Sequence, residues 1–141
     1  MAAQSLIDAG QAPIIAYNNK DWKAAKDCIS ASYVYDEVGS QRKVQGADDV
    51  IAVWRGWGTA LPDSKAEIHS ALASGNTVVV ELTWRGTHKG PLQMPTGAIA
   101  PTGKRIEVRA CQVTEIKDGK AQATRHYFDM ATLLRQLGVG S

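Results

Sequence analysis

A chain of 141 residues suits one domain with one core, and 44% hydrophobic with 21% charged content is ordinary for a globular protein. Sixteen Lys and Arg against 14 Asp and Glu leave a net charge of +2, too small to argue for nucleic acid or an anionic membrane as partner. Cys28 and Cys111 form no CxxC pair, and the three histidines lack metal-ligand spacing, so no metal and no cofactor is implied.

Helical spacing opens the chain at Leu6, Ile7, Ile14 and Ile15, with Pro13 marking a kink or the start of a second helix. "NNKDWKAAKDCISA" reads as a short helix with Asp21 as its N-cap. "SYVYDEV" has the aromatic and β-branched content of a strand, in which Asp36 is expected to face solvent. The basic cluster Gln41-Arg42-Lys43 reads as a solvated loop. "GADDVIAVWRGWGTALPD" reads as a helix: Asp48 and Asp49 suit its N-terminal dipole, Val50, Trp54, Trp57 and Leu61 share a buried face, and Pro62 stops it.

Four strand-like runs follow, "AEIHSALA", "NTVVVELTWRGTH", "RIEVRACQVTEI" and "AQATRHYF". "SGN" joins the first two tightly. Asp118-Gly119 joins the last two as a hairpin, because both central turn residues need positive φ. "KGPLQMPTGAIAPTGK" between the second and third is a long glycine- and proline-rich loop, of a kind that is usually functional or mobile. A closing helix, "MATLLRQL", ends at the C′ glycine Gly138, with Asp129 placed to cap its start. Helices segregated from an antiparallel sheet give an α+β class. If the sheet curves around them, the result is a cone-shaped α+β barrel with helices on the concave face. Both cysteines, among small and apolar neighbours, are expected to be buried free thiols. No apolar run is long enough to span a bilayer, and no secretion signal opens the chain, so a cytoplasmic location is expected.

The motifs "YNNKDW", "ELTWRGTHKGPL" and above all "DGKAQATRHYFDMATLLRQLG" resemble the SnoaL-like polyketide cyclase family of the nuclear-transport-factor-2-like superfamily. That superfamily also holds ketosteroid isomerases, limonene epoxide hydrolases and scytalone dehydratases. The resemblance covers nearly all of residues 1–141 as a single SnoaL-like domain. It implies the conical fold, a homodimer paired through the outer face of the sheet, and an intramolecular aldol cyclisation without metal or cofactor. It also implies a pocket histidine and aspartate on the last two strands. Counted from the "DGK" turn, the histidine position falls on Gln112 and the aspartate position on His126. The family's second carboxylate, three residues on, is matched by Asp129.

Alternation agrees with that placement. Ile106, Val108, Ala110 and Gln112 share one strand face, and Gln122, Thr124, His126 and Phe128 share a face on the neighbouring strand. A histidine in an apolar cavity stays neutral near neutral pH and can remove a proton beside a carbonyl. Gln112 can donate to the oxygen that gains charge, and Asp129 can orient His126 if it is not only a cap. Expected substrate contacts are Trp54, Trp57, Tyr17, Tyr33, Tyr35 and Phe128. His88 belongs at the pocket mouth or in a turn-stabilising role. His69 has no evident partner.

The function expected is therefore a cofactor-independent acid/base enzyme acting on a small apolar carbonyl compound, by aldol cyclisation or isomerisation. A non-catalytic protein that binds a small hydrophobic ligand is the first alternative. An epoxide hydrolase-like hydrolase is the second, and Arg125 has the wrong strand parity for its Asp-Arg-Asp group.

Overall fold

The computed structural model describes residues 3–139. In chain order its elements are α1 (Ala3–Asn18), α2 (Trp22–Asp27), β1 (Ile29–Glu37), β2 (Arg42–Gln45), α3 (Ala47–Ala60), β3 (Lys65–Ser74), β4 (Thr77–Thr87), β5 (Leu92–Met94), β6 (Gly97–Ile99), β7 (Arg105–Lys117), β8 (Lys120–Phe128) and α4 (Met130–Leu137). Six strands make one open sheet in the order β2-β1-β8-β7-β4-β3, while β5 pairs only with β6. Every ladder is antiparallel except that between β1 and β8, which is parallel and sets Glu37 opposite His126. This is the α+β cone anticipated from the sequence.

Local chemistry explains most of the elements. Asp21 caps α2 by accepting from the Ala24 amide, and Asp129 caps α4 by accepting from the Thr132 amide. Gly138 closes α4 in the left-handed region at φ 74°. Asp118 and Gly119 both take positive φ, 53° and 75°, as the β7–β8 hairpin requires. Gly10 lets α1 lie on the sheet, since a Cβ there would stand 2.5 Å from a methyl of Val78. The core forms where α1 and α3 cover β1 and β4, through Leu6, Ile14, Val50, Ile51, Trp54, Val78, Val80 and Leu82. A second cluster, with Leu92, Ile106, Val108, Leu133 and Leu137, seats α4 at the far end.

Four sequence expectations need correction. Of the two readings of Pro13, the start of a second helix is excluded, because α1 runs through it with the ring buried. Arg42 is not in a solvated loop but begins β2 and reaches back to Glu37. The stretch read as one long loop holds the β5–β6 hairpin. Gln122 does not share the inner face of β8. Glu115 pairs with Ala123 but Ile116 pairs with Ala121, so Gln122 is the extra residue of a bulge. Its amide donates to the Lys117 and Lys120 carbonyls, and Ala121, Thr124 and His126 are the buried residues of the strand. Cys28 and Cys111 are free as expected, but only half-buried. Among the described residues no helix is long and apolar enough to cross a membrane.

Candidate active site

Side chains from α1, β1, α3, β4, β7, β8 and α4 converge on a cavity of about 80 Å³ inside the cone. That is several times the roughly 10–15 Å³ that one water needs. Pro13, Ile14, Leu61, Ile106, Val108 and Leu133 form its aliphatic walls. Of the residues expected from sequence, Tyr17, Tyr35, Trp54, Trp57, Gln112, His126 and Phe128 line it. Glu37, Ser64 and Trp84 line it too, and sequence reasoning missed them.

His126 is buried with both ring nitrogens engaged. The Trp84 indole N–H donates to Nε2 at 3.1 Å, and Nδ1 lies 2.7 Å from the Tyr35 hydroxyl. An indole nitrogen can only donate, so Nε2 carries the lone pair and the proton of the neutral ring sits on Nδ1. Nδ1–H then donates to the Tyr35 oxygen, and the Tyr35 O–H donates to Glu37 Oε2 at 3.0 Å. The tautomer thus follows from the network. Burial holds the His126 imidazole down to about 4, with the Glu37 charge pulling more weakly upward. Burial likewise pushes the Tyr35 hydroxyl well up, so it stays protonated and bridges the two.

Glu37 has no solvent exposure. Its Oε2 accepts from Tyr35 and from the Trp57 indole at 2.9 Å. Its Oε1 accepts from Arg42, 2.7 Å from Nη2 and 3.2 Å from Nε, and from the Ser40 hydroxyl. These five hydrogen bonds, two of them from the Arg42 guanidinium, supply the partners that a buried carboxylate needs. The signal for Glu37 was present in the chain. Tyr33, Tyr35 and Glu37 alternate onto one face of β1, with the burial that face requires.

Gln112 sits directly across the β7–β8 ladder from His126. It is buried, and among the described residues its amide has no side-chain hydrogen bond, so it remains free to serve a ligand. Tyr17 and Ser64 meet elsewhere on the wall, hydroxyl to hydroxyl at 2.6 Å. Between the two polar groups stands Trp84, edge-on to Tyr17 at 5.1 Å and tilted on His126 at 6.0 Å. Trp54 packs edge-on against Tyr33 and Tyr35, and Trp57 against Phe128.

Other expected residues lie off the cavity. Asp129 is exposed and spends its carboxylate on the Thr132 amide and hydroxyl, so it is a cap and Tyr35 orients His126 instead. Tyr33 is buried in the core beneath Trp54 and is not part of the lining. His88 is not at the mouth; its Nδ1 meets the Thr102 amide and hydroxyl, while its backbone pairs with Lys104 and Gly103, pinning the long loop. His69 bonds the Thr83 hydroxyl at 2.6 Å. Arg125 lies 3.7 Å from Glu115, both part-exposed. Among the described residues no group of three or more His, Cys, Asp or Glu could hold a metal ion.

The SnoaL-like polyketide cyclase profile matches residues 8–137. The chain belongs to the SnoaL-like polyketide cyclase family. No curated protein matches it. Solved structures that resemble it include TsrD from Streptomyces laurentii, with 22% identity over 99% of each chain and a TM-score of 0.84. A protein from Jannaschia sp. CCS1, proposed to be a SnoaL-like polyketide cyclase, has 14% identity over 99% of this chain and 95% of its own, at a TM-score of 0.85. An epoxide hydrolase of M. tuberculosis, similar to limonene epoxide hydrolase, has 23% identity over 96% of this chain and 90% of its own, at 0.74. At these identities the likeness is one of fold. Within the SnoaL-like frame, the two strand positions singled out by sequence hold Gln112 and His126, and both line the cavity.

Proposed function

We propose that the chain is a cofactor-independent acid/base enzyme that enolises a small apolar carbonyl compound in this cavity, to isomerise it or to close a ring by aldol addition. The observation that carries the reading is the ordered chain Trp84–His126–Tyr35–Glu37 beside the free amide of Gln112. The substrate displaces the Trp84 N–H from Nε2, and Nε2 takes a proton from the carbon beside the carbonyl. The resulting imidazolium keeps its Nδ1–H on Tyr35, which remains bonded to Glu37, so the new positive charge is balanced through one hydroxyl. Gln112 donates to the enolate oxygen. The enolate carbon either accepts the proton at a new position or attacks a second carbonyl, whose alkoxide then takes the proton from Nε2.

A low pKa does not disable such a base: the carboxylate of ketosteroid isomerase works at roughly 4.6. The epoxide hydrolase alternative is less well supported. The cavity lining has one carboxylate, Glu37, and Arg125 is engaged with Glu115 outside it.

The test is exchange of α-protons of small cyclic ketones, 2-tetralone among them, followed by NMR in D₂O. Wild type should accelerate exchange, and His126→Gln should lose roughly 10²–10⁴-fold, the range of general acid–base catalysis. Exchange that is no faster than in buffer, or unchanged in the variant, sinks the assignment. Ketone binding without any acceleration would favour the non-catalytic alternative.

A further inference from the structure

Tyr17 and Ser64 face the cavity and share one hydrogen bond. Each hydroxyl carries a donor hydrogen, so the pair has two donors and only one is used, whichever way the bond runs. Among the described residues neither hydroxyl has another side-chain partner. Burial pushes the Tyr17 hydroxyl up to about 12, so it does not escape the surplus by ionising. Both residues are buried, and a buried donor left unmatched is costly. The side open to a new acceptor is the cavity.

The pair is also rigidly held. Tyr17 lies on α1 with its ring edge-on to Trp22 and Trp84, and Lys20 stands over its face at 4.3 Å. The Ser64 amide donates to the Leu61 carbonyl, and the Ser64 carbonyl accepts from Lys20. Lys20 therefore fixes both partners from outside. Neither hydroxyl contacts the His126 network. The single indole of Trp84 separates the two polar groups of an otherwise apolar chamber.

We infer that Tyr17 and Ser64 form a second oxygen anchor, so that the preferred ligand carries two oxygen functions. One is the carbonyl received by Gln112 and His126. The other is an acceptor oxygen, a hydroxyl, ether or carbonyl, at the opposite end of an apolar body that lies along Trp84. The inference rests on the proposed function for the placement of the first carbonyl only. The anchor itself is a matter of binding.

Its test uses the full chain with two probes of equal skeleton, 2-tetralone and 6-hydroxy-2-tetralone, each titrated against tryptophan fluorescence. Wild type should bind the hydroxylated ketone roughly three- to tenfold more tightly, the range of one neutral hydrogen bond. The double variant Tyr17→Phe/Ser64→Ala removes both donors and should abolish that preference, leaving 2-tetralone affinity within about twofold. Either single variant keeps one donor without its cooperative partner and should only weaken the preference. Circular dichroism confirms folding. If the double variant does not fold, the weakening in both single variants decides. Equal affinity of wild type for the two ketones, no saturable binding of the hydroxylated one, a preference undiminished in both single variants, or one that survives the double variant would overturn the anchor. His126→Gln should leave the preference intact. In wild type, a preference for the hydroxylated ketone without any exchange acceleration condemns the catalytic reading alone, and acceleration without the preference condemns the anchor alone.

Discussion

Arg42 and Arg85 each hold a glutamate at 2.7 Å, toward opposite edges of one sheet. Around Arg42 the partner is Glu37, wholly enclosed and shared with Tyr35, Ser40 and Trp57. Arg85 bridges Glu67 on β3 and Glu107 on β7, and all three side chains are exposed. The distances are alike and the surroundings opposite. Water screens the Arg85 pairs, so they add little. Glu37 has no exposure, so removing Arg42 leaves a buried carboxylate without its cation, and removing Glu37 strands a guanidinium whose side chain is only 21% exposed. The contrast singles out the β1–β2 edge: among the described residues Glu37 is the carboxylate that lines the cavity, and its lack of exposure leaves its charge the less screened.

Substitutions can break that contrast, and the largest effect belongs to Glu37→Ala. It strands the Arg42 guanidinium and takes the acceptor from Tyr35 and Trp57, and should cost about 3–5 kcal/mol in chemical denaturation. A loss below 1 kcal/mol would place Glu37 with the screened pairs. The next effect is one of pH. Folded His126 gains its proton only near 4, against 6.5 for the ordinary group. Between those values the unfolded chain holds more protons, so this contribution is complete above the unfolded value. It is lost as pH falls from about 6.5 to about 4, and amounts to about 3 kcal/mol. Denaturation at pH 7 and pH 4 should show that drop in wild type beyond what His126→Gln shows.

Asp129→Ala should cost about 0.5–2 kcal/mol, the worth of a helix cap, and leave ketone exchange unaltered. A loss of exchange equal to that of His126→Gln would restore Asp129 to the reaction. Smallest is Arg85→Ala, below about 1 kcal/mol and shrinking further in salt; a loss comparable with Glu37→Ala would erase the difference between the two edges.

The same division governs what the sequence discloses. Strands β3 and β4, and β7 and β8, pair through short turns, while α3 carries first-turn acids and the stop Pro62, and α4 its cap Asp129 and its closing Gly138, within a few residues. Local patterns therefore announce them. Gln112 and His126 were legible from alternation along each strand and from the family resemblance, although the hairpin alone would set Gln112 opposite Arg125 and the bulge at Gln122 brings His126 there instead. Glu37 was not, although alternation with Tyr33 and Tyr35 turns it inward. A charge reads as solvated until its partner is known, and Arg42 itself read as surface. Ser64 lies in a turn with no periodicity at all, and its meeting with Tyr17 spans 47 positions. Strands β2, β5 and β6 are too short for alternation to register.

The parallel ladder between β1 and β8 brings distant parts of the chain together, and the Tyr35–His126 bond beside it spans 91 positions. Glu37 gathers its donors from residues 35–57, but His126 arrives from the far end of the chain. An unfolded chain thus offers a ligand no fragment of the completed pocket, and a compound that fits binds the native state alone. Occupancy should then raise the melting temperature, with about 2.7 kcal/mol of added stability at a hundred times the dissociation constant. A thermal-shift screen of oxygenated ring compounds needs no assay of turnover, and it turns the distance between the two halves of the site into a means of finding what the pocket holds.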